Sequence, residues 1–237
     1  MAIDTQTPAA VSCWACHAPL VPNEHFCAAC RKVQPATATD FFSFFGLPRR
    51  LNLDVAALER EFYRLSRKLH PDVYARASAQ EQQWSLEKSS QLNDAYRTLK
   101  DPIERTAYLL KLEGVQLEEQ SKAATDKARQ TGEEKKQVVP PELLEEVFEL
   151  NMQLQELKAG ERDPDTLKSL QASRDVFAGK LGALDEELKT EWFQWDRIEA
   201  GADSQGRLAV RDRMVSLLNR RNYLRNLVRD VNQALEA

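Results

Sequence analysis

The sequence predicts an all-α protein, a helical hairpin followed by a C-terminal three-helix bundle, with a small metal knuckle in front. Three observations predict it. Ala, Leu, Glu, Gln, Arg and Lys dominate the 237 residues, 30% are charged, and Gly occurs only 8 times, a composition that favours helices. Apolar residues recur at steps of three and four from Val55 onward, the period of a helix with one buried face. All four cysteines fall in one short stretch, "CWACHAPLVPNEHFCAAC", the pattern of a metal site rather than of a scattered disulfide framework.

Composition also excludes several function classes. A formal net charge of -4 argues against a general nucleic-acid binder. The sequence has no apolar run of 18 residues, so no membrane association is expected. The start, "MAIDTQTPAAVSC", has neither a basic n-region nor an apolar h-region, and no Arg precedes Arg31. The expectation is a flexible terminus over residues 1–12 and a cytoplasmic protein, with the mitochondrial matrix as the alternative.

The first element is the tetracysteine module, residues 13–33. Cys13 and Cys16 form one CxxC pair, and Cys27 and Cys30 form the second. Each pair places two thiolates on one tight turn, and together they can close a tetrahedron around a single structural Zn²⁺. Such a short segment has almost no core, so metal binding would supply its folding free energy. The alternatives are two disulfides, an iron–sulfur cluster or a redox pair. Four Cys fill the site without His17 or His25 and leave no open position for catalysis.

After the Pro/Thr/Ala linker "RKVQPATATD", the run Phe41, Phe42, Phe44, Phe45 reads as a short helix stopped by Gly46. Asp54 is placed to N-cap the next helix, in which Val55, Leu58, Phe62, Leu65 and Leu69 form one core stripe. Arg60, Arg64, Arg67 and Lys68 lie on other faces, where a solvated surface is the plain alternative to a binding face. That helix runs into His70-Pro71-Asp72. A long return helix then carries Leu92, Ala95, Tyr96 and Leu99 on one side. Asp101, Pro102 and Glu104 read as N-cap, first helical residue and capping-box partner of a further helix. The His-Pro-Asp stretch therefore sits in a loop between two antiparallel helices. Read alone, it is either a helix stop and turn or a displayed motif.

These residues carry a resemblance. "DFFSFFGLP", "LHPDVY" and "LNDAYRTLKDPIERTAYLL" together resemble the HscB family, J-domain co-chaperones of iron–sulfur cluster biogenesis. Some members also carry an N-terminal CWxC…CxxC module, which "CWAC…CAAC" matches. The resemblance covers essentially the whole chain and implies a J domain over 40–114. It implies that His70, Pro71 and Asp72, with Arg64, Arg67 and Lys68, dock on the ATPase domain of an HscA/DnaK-type chaperone. It also implies that the chain is not itself an enzyme, in keeping with a sequence that has no Ser/His/Asp set, phosphate loop or H-E-x-x-H.

Residues 115–140 read as a charged linker, almost free of large apolar residues. The three-helix bundle is expected over 141–237. Its first helix should stop at Gly160, its second should run from the Asp163-Pro164 cap to about Ala200, and its third should cover 203–236. On the third, Val210, Met214, Leu217, Leu224, Val228, Val231 and Leu235 recur at heptad-like steps.

The first bundle helix has two apolar sets. Leu143, Val147, Leu150, Leu154 and Leu157 form a complete stripe, and Leu144, Phe148 and Met152 repeat beside it, flanked by Glu145, Glu149 and Glu156. By pattern alone this is a wide core-facing stripe. The family resemblance instead implies a patch for an IscU-type iron–sulfur scaffold, formed by Leu144, Phe148, Glu149, Met152 and Glu156 with Tyr223 from the last helix. Glu145 stands where the family has an apolar residue, and Met152 where it has a carboxylate. Seven arginines between Arg207 and Arg229 suggest the rival reading of a zinc-ribbon nucleic-acid binder. Overall acidity favours their pairing across the bundle with Glu142, Glu145, Glu146 and Glu149. A J protein serving a different client is the remaining alternative.

Overall fold

A computed structural model describes residues 12–36, 40–115, 117, 143–158, 164–198 and 203–236. The terminus over 1–11, linker residues 118–140, the Gly160 stop and the Asp163 cap lie outside the described residues. Helix is the only regular structure among those described, apart from two isolated bridges, Ser12 with Pro19 and Phe26 with Val33. The chain divides into two compact units, one ending at Arg105 and the other beginning at Thr106.

In the first unit, α1 (Phe41–Phe44) is capped by Asp40, whose carboxylate accepts the Ser43 N–H at 3.0 Å. Gly46, at φ +67°, stops it as the sequence predicts: the left-handed turn returns the Leu47 N–H to the Phe42 carbonyl at 2.8 Å. Helix α2 (Val55–Leu69) starts at the predicted cap, Asp54 accepting the Ala57 N–H at 3.0 Å. It buries Leu58, Leu65 and Leu69, while Val55 at its first turn is exposed. A 3₁₀ turn (Pro71–Tyr74) leads to α3 (Ala79–Lys100), which begins with a Ser78/Glu81 capping box and buries Leu92, Ala95 and Leu99. Phe62 stacks on Tyr96 at 4.1 Å, and the Tyr96 hydroxyl donates to Glu59 at 3.0 Å, locking α2 against α3. Asp101 then caps α4 (Pro102–Leu112), accepting the Ile103 and Glu104 N–H groups at 2.8 and 3.0 Å.

The second unit is a helix bundle of α5 (Leu144–Lys158), α6 (Pro164–Arg197) and α7 (Ser204–Glu236). Leu170, Phe177, Leu184, Leu188 and Trp195 of α6 pack with Val210, Met214, Leu218, Leu224 and Val231 of α7. Helix α5 lies on both and buries Val147, Leu150 and Leu157, with Leu143 just before it. The arginines find partners other than those expected. Arg213 pairs with Glu191 at 2.9 Å and Arg221 with Asp185 at 2.5 Å, both across to α6, because α7 packs chiefly along that helix. Arg211 and Arg229 bond the adjacent Asp212 and Asp230, and Arg207 bonds Glu113 at 3.2 Å and lies over the Trp195 ring at 3.8 Å. Of the α5 glutamates, Glu146 pairs with Lys180 instead.

Candidate functional site

Leu69 ends α2, and its carbonyl has no helical successor to bond. Two serines of α3 supply the missing donors: Ser85 and Ser89 hydroxyls reach the Leu69 oxygen at 2.6 and 2.7 Å. The helix end is thereby tied to the opposite helix at the residue before His70. Pro71 fixes φ at the first position of the 3₁₀ turn. The Asp72 N–H donates to His70 Nδ1 at 3.2 Å, which turns Nε2 outward as the free position of the ring. The His70 side chain is 56% exposed and that of Asp72 is 90% exposed. The motif is both helix stop and display: a rigid turn presenting an imidazole and a carboxylate. Sequence reading found the motif but missed Ser85 and Ser89, although two hydroxyls four residues apart on the return helix were a usable signal.

The basic residues behind it are exposed, as a docking face requires. Arg64, Arg67 and Lys68 all face solvent. Arg64 is held by Glu61, its Nε donating to the carboxylate at 2.7 Å, and this bond is the main cause keeping the Glu61 carboxyl below the usual range. Lys68 Nζ sits 5.8 Å from the centre of the Phe26 ring.

The tetracysteine module is two copies of one turn. The His17 N–H bonds the Cys13 carbonyl at 2.9 Å and the Arg31 N–H bonds that of Cys27 at 2.8 Å, each residue in the left-handed region at φ near +60°. The four Sγ atoms lie within 4.8 Å of one another, with Cys13–Cys30 at 3.6 Å and Cys16–Cys27 at 3.7 Å. A tetrahedral ion with bonds of about 2.3 Å requires sulfurs about 3.8 Å apart, so the set fits a metal. Its electrostatics also call for a cation. Burial opposes ionisation of Cys13, but N–H groups of Cys16 and Ala15, with Cys30 and Gln34, outweigh it and bring the thiol down to about 6. At Cys16 the Ala18 N–H favours the thiolate, yet the neighbouring Cys30, burial, Cys27 and Cys13 push it up to about 12. Thiols this close cannot all ionise until a dication neutralises them.

The module does not hang free, as the linker composition suggested it would. It is part of the first compact unit and packs on the hairpin. Trp14 meets Trp84 of α3 edge-on at 5.4 Å while its Nε1 donates to the Val33 carbonyl at 2.7 Å. Lys32 pairs at 2.7 Å with Glu81, the buried carboxylate that also caps α3, and holds it below its ordinary range. His25 is not a ligand: Nε2 lies 2.8 Å from the Phe44 carbonyl and Nδ1 3.3 Å from Lys88 Nζ. Burial, then the Lys88 charge, brings this imidazole down to about 4, so it is neutral and Nε2 donates. Burial likewise brings Lys88 down to about 8. These contacts pair residues far apart in sequence, and no local pattern announces them.

On α5 the two apolar sets separate. Leu143, Val147, Leu150 and Leu157 are buried, whereas Leu144 is 53%, Phe148 69% and Met152 49% exposed. Glu145, Glu149 and Glu156 are exposed beside them. The second set is surface, not a wide core stripe. Tyr223 does not join it: its side chain is buried on the core face of α7, next to Leu224 and Leu227. Adjacency in the heptad pattern had allowed either orientation, and packing against the bundle selects the inward one.

Comparison with known proteins agrees with this arrangement. Residues 40–108 match the DnaJ domain family. The iron–sulfur cluster co-chaperone protein HscB of Mus musculus is 30% identical over 182 residues, covering 75% of this chain and 72% of the mouse protein. The chain belongs to the HscB family of J-domain co-chaperones. A co-chaperone protein HscB homolog of Vibrio vulnificus is also 30% identical, over 65% of this chain and 82% of its own. The crystal structure of human co-chaperone protein HscB shares the fold, with a TM-score of 0.65 at 24% identity over 94% of this chain and 98% of the human one. The fold expected from the HscB resemblance, hairpin, bundle and clustered cysteines, is the fold observed.

Proposed function

We propose that this chain stimulates ATP hydrolysis by an HscA/DnaK-type chaperone and delivers to it an IscU-type scaffold during iron–sulfur cluster assembly. The observation that carries the reading is the turn at His70-Pro71-Asp72, rigidly tied at Leu69 yet with imidazole and carboxylate both in solvent. Neither group has an internal task that would account for such a tether. Asp72 offers a carboxylate to an arginine of the chaperone, and Arg64, Arg67 and Lys68 supply long-range attraction to an acidic surface. The chain performs no bond-breaking step itself. A second observation supports the client: Leu144, Phe148 and Met152 form an exposed apolar row with a carboxylate rim, the composition of an interface centre. The tetracysteine set would hold one Zn²⁺, which supplies cross-linking only, since four sulfurs leave no position for a substrate. The site of action is expected to be the cytoplasm.

The test is steady-state ATPase of the cognate chaperone with this protein. His70→Gln should fold normally, because the side chain is exposed, and stimulation should vanish. Undiminished stimulation by the folded variant would remove the J-domain mechanism.

A further inference from the structure

The cleft between the tetracysteine knuckle and the hairpin has a volume of about 530 Å³. Pro22, Glu24 and His25 line it on one side, and Phe44, Glu61 and Arg64 on the other. Arg64 belongs to the basic face read above as chaperone-docking. Lys68 of the same face sits 5.8 Å from the Phe26 ring, which comes from the knuckle. Two of the three basic residues therefore border one loop of the metal module.

We propose that the loop Pro22–Phe26 is a continuation of the chaperone-docking surface, so that an ATPase domain seated on α2 also lies against the knuckle. The inference rests on the docking reading given above and extends it to residues that the J domain itself does not contain. Specific protein interfaces cover roughly 800 Å² per partner, a patch about 30 Å across. A partner that covers Arg64 and Lys68 cannot avoid a loop in contact with both. The loop is also prepared for contact: Val21, Pro22 and Asn23 are exposed, while Asn23 holds a turn at φ +68° and the Glu24 N–H returns to the Val21 carbonyl at 3.3 Å. His25, bonded to the Phe44 carbonyl, anchors the far end on the hairpin. A loop fixed in this way loses little conformational freedom on binding.

Site-directed photo-crosslinking on the full, metal-loaded chain tests it. Pro22 is replaced by p-benzoylphenylalanine in one variant, and Val73, exposed beside the His-Pro-Asp turn, in another. Each is irradiated with the ATP-bound chaperone. The expected result is a crosslink to the ATPase domain from both positions, each falling roughly tenfold or more when His70→Gln is added, in line with a lost docking free energy of about 1.4 kcal/mol or more. A crosslink from position 73 without one from position 22 overturns the inference and leaves the docking reading standing. A position-22 crosslink that persists in His70→Gln overturns it as well, because that contact is not the productive one. Failure at both positions removes the docking reading and the inference together.

Discussion

At the scale of single residues, the charges that matter are those the knuckle covers. Lys88 is 3% exposed, and its one described polar neighbour is the neutral His25 imidazole, with no carboxylate to offset its desolvation. Burial brings it from 10.5 down to about 8. Between these two values the unfolded chain holds the proton more firmly than the folded chain, so stability rises with pH across that window. The whole rise amounts to roughly 3 kcal/mol at most, one pKa unit being about 1.4 kcal/mol. Lys88→Met should abolish this rise while filling nearly the same space. Its stability at pH 7 should change little, since the relief of a buried charge is offset by leaving His25 Nδ1 without its donor, a cost of about 1–3 kcal/mol. Melting followed from pH 7 to 10.5 checks it. A variant with the same pH slope as the parent would show that Lys88 is solvated in the folded chain.

At the scale of elements, helices with strong local signals were legible and orientations were not. Asp54, Gly46 and the Asp101-Pro102 pair start and stop their helices where residue chemistry demands it. Helix α5 shows the limit. Leu144, Phe148 and Met152 have the spacing of a core row, and only the volume already filled by Val147, Leu150 and Leu157 decides that they stay outside. Tyr223 shows the converse, a polar-tipped aromatic taken for surface that the α6–α7 contact buries. The two cases make a sharp prediction. Leu144→Ala/Phe148→Ala should leave the melting temperature almost unchanged, because exposed side chains leave no cavity, whereas buried ones would cost about 2–5 kcal/mol each. Scaffold binding, measured by calorimetry, should weaken by about thirtyfold or more, a loss of roughly 2 kcal/mol. Stimulation of the chaperone alone should be retained through the untouched turn. Normal scaffold affinity in a folded double variant would place the client surface elsewhere.

At the scale of the molecule, the coupling between knuckle and hairpin is what sequence could not disclose. The cysteine spacing announced the metal site, and Pro, Thr and Ala at 35–39 suggested a free tether, since composition reports local stiffness and says nothing of contacts across fifty or sixty residues. The observed contacts reverse that expectation. The segment 12–36 buries only a few apolar side chains, Cys13, Cys27 and Val33 among them, too few to fold without its metal. Cys13→Ser/Cys16→Ser should therefore release the ion and unfold the knuckle outright. The consequence does not stop there. The Trp14–Trp84 contact, the Lys32–Glu81 pair and the His25 bond to Phe44 are lost together, two on α3 and one on α1. An aromatic pair contributes about 0.5–1.5 kcal/mol beyond its area, and a hydrogen bond about 1 kcal/mol. Part of the loss is returned, because Lys88 regains water. The hairpin should accordingly remain folded but lose roughly 2 kcal/mol, enough to lower its melting temperature by about 10 °C in a domain of this size. Chelation of the parent protein should reproduce the shift, and restoring the ion should reverse it. Amide exchange read at the N-terminal turn of α3 locates the effect, since Glu81 caps that turn and binds the knuckle at once. Metal-free protein whose hairpin melts and exchanges as the parent does would show that the knuckle rests on the hairpin without supporting it.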